Sequence, residues 1–502
     1  MRMCLERAAP YVYYGTGRRT VGYGMGAGHM QAAAEPRAHG PAARGAQRQG
    51  LSLMIVLFLV GLIIPSIIQL GPLRLSVYRV VLLLVTVPCL FMWLSGKAGR
   101  MRIPDFAILL LWFWSALSFT VHHGVGPMIE RNGIFFLETV GTYFLARCYI
   151  RTAADFHAMV RVFYWTVIVM LPFALYETLT GHALLLSIFG LFSETLTANA
   201  MEPRMGLYRV QGPFDHQILF GVYSGSMLAM VHMVLGYGEP VGRRALRTGS
   251  VMFTAFFALS SGPLTAQVVQ IMLMGWNWMF RSVAARWKIL AGLSAGGIGL
   301  IEAVANRSTP EILISYFAFN TWTAMNRIRI WEYGSANVID NPLFGLGLND
   351  WVRPYWMLPS VDMFWLLPAM RNGIPAVIFL AVAVLGIFLA AAFRKGLDAR
   401  VASYRTAYLI SLMGMIMAGW TVHYWNSTYV LLIFMIGAGA WFADAPQEPD
   451  APPPQDRDGS AEAPEDAPED APEGAPEDAA GAGGRRRLPY ARRAPVPGRG
   501  AR

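Results

Sequence analysis

From residue 51 to about residue 443 the chain alternates apolar stretches with short polar connections. About 20 residues is the helix length that crosses the hydrocarbon core of a bilayer. Inside that core every backbone N–H and C=O has to be paired within the protein, so such stretches form helices. The stretches fall at 51–70, 75–95, 104–121, 133–150, 157–178, 215–235, 248–260, 263–280, 287–304, 374–393, 406–423 and 428–443. The region 248–280 reads either as one long helix or as two shorter ones broken at Ser260-Ser261-Gly262-Pro263. The pattern predicts an all-α polytopic membrane protein with about twelve transmembrane helices.

Basic residues orient this array. Lys97, Arg100 and Arg102, then Arg147 and Arg151, then Arg243, Arg244 and Arg247, then Arg281, Arg286 and Lys288, and finally Arg394, Lys395, Arg400 and Arg405 occupy alternate connections. The positive-inside rule makes those connections cytoplasmic and puts both termini inside. Two of the remaining connections are long, about 179–214 and 305–373, and these are the expected outer loops. Connections of such length usually carry function.

Composition refines the picture at the ends. Hydrophobic residues make up 55% of the 502-residue chain and charged residues 14%, and much of that charge sits outside the apolar region. Residues 1–50 are rich in Arg, Gly and Ala without hydrophobic periodicity and read as a disordered basic tail; no signal-peptide cleavage site follows the first apolar stretch. Residues 444–502 contain "APEDAPEDAPEGAPED" followed by a basic end, a low-complexity composition that cannot bury enough apolar surface to fold. The net charge of +10 does not point to nucleic acid, because the basic residues recur between apolar segments instead of clustering on one soluble face. Cys4, Cys89 and Cys148 have no metal-ligand spacing and read as small apolar residues.

The outer loops break the positive-inside pattern. They hold Arg204, Arg209, Arg307, Arg327, Arg329, Arg353 and Arg371. Arginine stays charged when desolvated and grips phosphate or carboxylate through a rigid fork. Taken singly, each arginine is most simply a partner for Glu194, Glu202, Glu311, Glu332, Asp340 or Asp350. Taken together, beside a lipid surface, they point to a lipid-linked anion, with pyrophosphate the best fit. Within the second loop, "NTWTAMNRIRIWEYGSANVIDNPLFGLGLNDW" reads as a helix capped by Asn326, with Ile328, Trp331 and Ala336 along one face, stopped at Asn341-Pro342. Gly345 and Gly347 then permit a tight turn. Arg327 and Arg329, two apart, point to different faces of that helix.

The stretches "RVQGPFDHQILFG" (209–221), "LSSGPL" (259–264), "NRIRIWEYGSANVIDNPLFGLGLNDW" (326–351) and "SVDMFWLLPAMRNGIPA" (360–376) together resemble the O-antigen ligase/polysaccharide polymerase family. The motifs cover roughly 200–376, and the topology covers most of 51–443. The resemblance implies a bacterial inner-membrane enzyme that performs inverting glycosyl transfer at the periplasmic face. The donor would be a glycan on undecaprenyl pyrophosphate, and the acceptor a sugar hydroxyl on another carrier or on lipid A-core. No metal and no other cofactor is implied. Arg209 falls where the family has an arginine ahead of its Gly-Pro/Phe stretch. Arg327 precedes Trp331 by four residues, as in the family's arginine-to-tryptophan spacing. These two are the phosphate-binding candidates, with Arg329 and Arg204 beside them.

The chain departs from the family at its third site. Many members carry a His-Asn pair where this sequence reads Asp362-Met363. A partly buried carboxylate can take the proton of a sugar hydroxyl, so Asp362 is one candidate base; His216 and Asp215 are the others. The simpler roles are a helix N-cap for Asp362 and a helix-end histidine for His216. Polymerase and ligase are not separated by these motifs, although the Asp362 departure leans towards polymerase. A secondary transporter or flippase of a lipid-linked or anionic substrate is the competing class; against it, the apolar segments hold few charges, with Glu138, Glu177 and Glu302 within or near them, and the sequence shows no clear internal repeat.

Overall fold

The computed structural model describes residues 51–70, 73–199, 201–305, 312 and 321–445. The predicted N-terminal tail and all of the predicted C-terminal tail after Ala445, together with Cys4, Arg307 and Glu311, lie outside the described residues. The elements run α1 (Leu53–Gly61), β1 (Ser66–Leu70), β2 (Leu73–Ser76), α2 (Val77–Leu94), α3 (Ile103–His123) and α4 (Val125–Phe136). A π-helical turn, Leu137–Gly141, joins α4 to α5 (Thr142–Tyr149), and α6 (Ala153–Thr180), α7 (Leu184–Gly190) and β3 (Glu194–Thr195) follow. Then come α8 (Gln217–Gly225), α9 (Leu228–Met233), α10 (Val241–Phe256), α11 (Ser261–Met279), α12 (Arg286–Val304) and α13 (Thr321–Asp340). The last are α14 (Leu367–Asn372), α15 (Ile374–Ala392), α16 (Ala399–Ala418), α17 (Ser427–Ala438) and α18 (Trp441–Asp444).

The protein is helical, and among the described residues seven helical segments are long and apolar enough to cross a membrane: Val77–Leu94, Ile103–His123, Ala153–Thr180, Arg286–Val304, Ile374–Ala392, Ala399–Ala418 and Ser427–Asp444. Exposure follows the helical period. On α2, Val81, Leu82, Val85 and Cys89 are buried, whereas Leu84, Val87, Phe91 and Leu94 face outward. No residue of the apolar α12 is buried at all. Apolar surface of this extent is tolerated only against an apolar solvent, which makes these faces compatible with lipid contact in a multi-pass membrane protein.

Each predicted apolar stretch contains helix, but several of these helices are shorter than the hydropathy implies. The stretch 51–70 is helical only over Leu53–Gly61. Pro65 and the following β-branched Ile67 and Ile68 divert the chain into a small antiparallel sheet of order β2-β1-β3, in which Ile67 pairs with both Ser76 and Glu194. The region 248–280 is two helices, α10 and α11. The break between them holds Leu259 at φ +44°, a left-handed conformation that a leucine reaches only under tertiary constraint. Stretch 215–235 is likewise interrupted, between Gly225 and Leu228.

Two polar knots tie the bundle together, one at each end of α2. At the C-terminal end, Asp105 accepts from Tyr143 Oη (2.5 Å), Trp93 Nε1 (3.0 Å) and the backbone of Arg102 (2.9 Å). Arg147 lies 3.4 Å from the same carboxylate and donates to the carbonyls of Ala98 (2.6 Å) and Arg100 (2.7 Å). At the N-terminal end, Arg79 forms an ion pair with Glu138 (2.8 Å), which also accepts from Tyr78 Oη (2.7 Å). Glu138 stands on the π-helical turn; the extra residue of such a turn re-aims a side chain inward.

Candidate functional site

The backbone around Arg209 is fixed from two sides. Tyr208 N donates to the carbonyl of Thr178 (3.0 Å), and Thr178 Oγ1 returns a bond to Tyr208 O (2.8 Å). The backbone N–H groups of Gln211 and Gly212 donate to the Glu177 carboxylate at 2.6 and 3.1 Å. Gly212 adopts φ +58°, and a Cβ there would lie 2.8 Å from the Phe220 ring. The predicted Gly-Pro turn is thus held by a carboxylate at the end of α6.

That turn presents Arg209 to the break between α10 and α11. Arg209 is 9% exposed; its Nε donates to Ala258 O at 3.3 Å, and its Nη1 lies 2.9 Å from Met201 Sδ. Arg204 donates to the next carbonyl, Leu259 O, at 2.9 Å. Both arginines therefore rest on the strained Phe257–Ser260 connection, and neither forms an ion pair among the described residues. Burial, and then the neighbouring Arg204 charge, push the Arg209 guanidinium down to about 10.

Arg327 lies on α13, which begins at Thr321, so Asn326 is inside the helix and does not cap it as expected. The buried face is Arg327, Ile330, Gly334 and Asn337 rather than Ile328, Trp331 and Ala336, and Ala336 is exposed. Helical spacing permitted both registers. The close approach of Leu366, which leaves no room for a Cβ at Gly334 (2.7 Å), selected the observed one. The helix stops at Asp340, before Asn341-Pro342, and Gly345 and Gly347 both adopt φ +63° as the turn requires. Arg327 is 4% exposed, its Nε has no hydrogen-bond partner, and it too lacks an ion pair among the described residues. Arg329 points elsewhere, with its guanidinium 4.7 Å from the Trp356 ring centroid.

Of the expected carboxylate partners, Asp350 does pair with a loop arginine, Arg353, at 2.5 Å. Glu194 pairs with Arg74 on the hairpin. The pairing explanation thus accounts for Arg353 but not for Arg209 or Arg327.

Asp362 lines a cavity of about 490 Å³ together with Arg371, His423, Trp425 and the Leu346–Trp351 turn. No helix begins at Asp362: the run Val361–Leu366 is irregular and α14 starts at Leu367. The capping role is therefore absent. Burial raises the Asp362 carboxyl above its ordinary range, and the Arg327 charge pulls it partly back. Reciprocally, burial lowers the Arg327 guanidinium while the Asp362 charge raises it. Arg327 and Asp362 thus act on each other, and the Arg204 charge reaches both Arg327 and Arg209.

Asp215 and His216 do not bond Arg209. Asp215 accepts from Asn426 Nδ2, and Asn426 Oδ1 accepts from Arg79 (3.0 Å), so this carboxylate completes the Arg79–Glu138 knot. His216 is the N-cap of α8: its Nδ1 accepts from Ile218 N at 3.1 Å. In the neutral ring this places the proton on Nε2 and leaves no free lone pair to take another. Burial, and then Arg209, push His216 down to about 4, so it is neutral near pH 7. His423 is pushed down to about 3 by burial and then by Arg371, and its Nδ1 is buried without a partner among the described residues. Trp425 stands between the two histidines, 6.2 Å from the His216 ring and stacked at 5.4 Å on His423.

Sequence reasoning gave no site role to Arg79, Arg131, Asn132 or Asn426, all of which line a second, adjoining cavity with Arg371 and His423. One signal was available for Arg79. It sits at the third position of an otherwise apolar helix, where a charge is expensive unless it serves a purpose. Compared with known protein families and with curated proteins, the sequence matches none.

Proposed function

We propose that this protein is a membrane glycosyltransferase that moves a glycan from undecaprenyl pyrophosphate to a sugar hydroxyl, in the manner of the O-antigen ligase/polysaccharide polymerase family. One observation carries the reading. Arg209 and Arg327 are almost fully buried guanidiniums without an ion pair among the described residues, and Arg327 stands in the field of a cavity-lining carboxylate, Asp362. A buried cation left uncompensated by the fold calls for an anion from outside.

In this reading Asp362 takes the proton of the acceptor hydroxyl as its oxygen attacks the anomeric carbon. The bond from that carbon to the phosphate oxygen breaks, with inversion, and the pyrophosphate leaves carrying the developing charge. Arg209 and Arg327, with Arg204 beside them, are fixed donors to that charge and need no reorganisation during the step. Arg327 also keeps Asp362 from becoming too weakly acidic to ionise. The twelve helical stretches then all belong to the membrane, the 179–214 and 305–373 connections face the periplasm, and both termini are cytoplasmic.

A second reading is transport of a lipid-linked anion. What favours it is the charged chain Glu138–Arg79–Asn426–Asp215 inside the bundle, since intramembrane ion pairs commonly mark transport pathways. Purified protein in nanodiscs, given a lipid-pyrophosphate oligosaccharide, separates the two. Longer or transferred glycan supports transfer, whereas flux in vesicles without any new glycosidic bond sinks it.

A further inference from the structure

The second cavity has a charge balance that the transfer reaction does not use. Its walls carry three arginines, Arg79, Arg131 and Arg371, and a single carboxylate, Glu138. Glu138 is already committed to Arg79 and Tyr78. Neither Arg131 nor Arg371 has an ion pair among the described residues. The two guanidiniums are close enough that the Arg371 charge, after burial, lowers Arg131.

The same walls hold polar groups that the fold leaves unsatisfied. Asn132 is 5% exposed, yet its Nδ2 has no hydrogen-bond partner among the described residues. Ser115 Oγ and His423 Nδ1 are in the same condition. Buried donors and acceptors of this kind cost stability when unmade, so their collection around one cavity signals a polar ligand. Phe119, Phe135 and Trp425 supply apolar wall between them, the mixture typical of small-molecule sites.

We propose that this cavity is a second anion subsite, in which Arg131 and Arg371 hold the carboxylate of an acidic sugar while Asn132, Ser115 and His423 meet its hydroxyls. That the ligand is a sugar rests on the transferase reading. The anionic character rests on the cavity alone. Arg204, Arg209 and Arg327 already answer for the pyrophosphate, so a neutral glycan would leave two further guanidiniums uncompensated beside a low-dielectric membrane. Because Arg371 also lines the cavity of Asp362, the acidic sugar sits next to the reacting centre and selects which glycan is handled.

The test is binding, measured without turnover, to protein in phosphatidylcholine nanodiscs. The probes are a tetraglucuronide, its neutral glucose counterpart, glycerol phosphate and undecaprenyl pyrophosphate. The acidic tetrasaccharide is expected to bind at least about tenfold more tightly than the neutral one, as two charge-assisted contacts allow. R131Q/R371Q should abolish that preference and keep undecaprenyl pyrophosphate binding, which also shows that the variant is folded. R209Q/R327Q should do the reverse. Equal binding of the two tetrasaccharides, or a preference that survives R131Q/R371Q, overturns the proposal. So does tighter binding of glycerol phosphate than of the tetraglucuronide, which would assign the cavity to a lipid headgroup. Failure of the wild type to bind undecaprenyl pyrophosphate defeats the transferase reading and leaves the anion subsite standing.

Discussion

Asn426 Nδ2 lies 3.1 and 3.0 Å from the two carboxylate oxygens of Asp215, across 211 residues of chain. Asn426 holds φ +48° and ψ −126° to do so, a conformation that favours glycine. Its Oδ1 meanwhile accepts from Arg79, so one strained side chain joins the start of α8, the start of α17 and the start of α2. N426A keeps the strain and loses the bonds, and should cost about 1–3 kcal/mol. N426G loses the same bonds but releases the strain, and should be the more stable of the two. Thermal unfolding in detergent ranks them, and the opposite order would mean that the backbone there is not strained.

Arg209 and Arg327 should be intolerant even of lysine. A lysine keeps the charge but cannot present a planar fork to a diphosphate. R209K and R327K are expected to lower transfer by about 10²-fold or more, with the protein still present in the membrane. Immunoblotting of membranes beside product analysis reads both quantities.

Asp362 sets the acid limb of the pH profile. As a base it works only when ionised, so the rate should rise with pH through a midpoint above that of an ordinary aspartate, because burial raises this carboxyl. Arg327 pulls the carboxyl down, so the residual activity of R327Q should show a higher midpoint. His216 and His423, pushed down to about 4 and about 3, add no inflection near pH 6.5. A midpoint near 6.5 that vanishes in H216N would replace Asp362 with His216 as the base.

His216 also couples stability to pH. Its proton affinity is lower in the fold (about 4) than in the unfolded chain (about 6.5), so the unfolded state binds more protons between those values. Stability is then complete above about pH 6.5 and declines as the pH falls towards 4. Asparagine caps helices well and does not titrate. H216N should therefore match the wild type at pH 8 and exceed it at pH 5 in thermal unfolding, and a constant offset at both pH values would remove the linkage.

Arg147 is a control at the other end of α2. Arg79 and Trp93 are separated by fourteen residues of that helix, about 21 Å at 1.5 Å per residue. R147A removes the cation beside the buried Asp105 carboxylate, leaving it only neutral donors, and should cost about 3–5 kcal/mol. The fraction that folds should retain its transfer rate per molecule, measured by product formed per protein recovered from size exclusion.

The amino-acid sequence by itself determined that the chain is helical and apolar, and where several of its helices stop. Hydrophobic stretches, proline and glycine positions and the distribution of arginines act over a few residues, and their consequences can be read locally. The stop of α13 at Asn341-Pro342, the glycine turn after it and the divergence of Arg327 from Arg329 were legible for that reason. What only the tertiary structure decided is which charges meet. Asp215 and His216 are adjacent to the Gly-Pro turn in sequence, yet one completes a knot with Arg79 and Asn426 and the other caps α8. Asp362, on the wall of one cavity, feels the charge of Arg327 from a distant helix, whereas Asp350 neutralises Arg353 three residues away. Pairing of buried charges depends on distance and desolvation between segments far apart along the chain. Local pattern carries no information on either, so the uncompensated guanidiniums became visible only once the helices were packed.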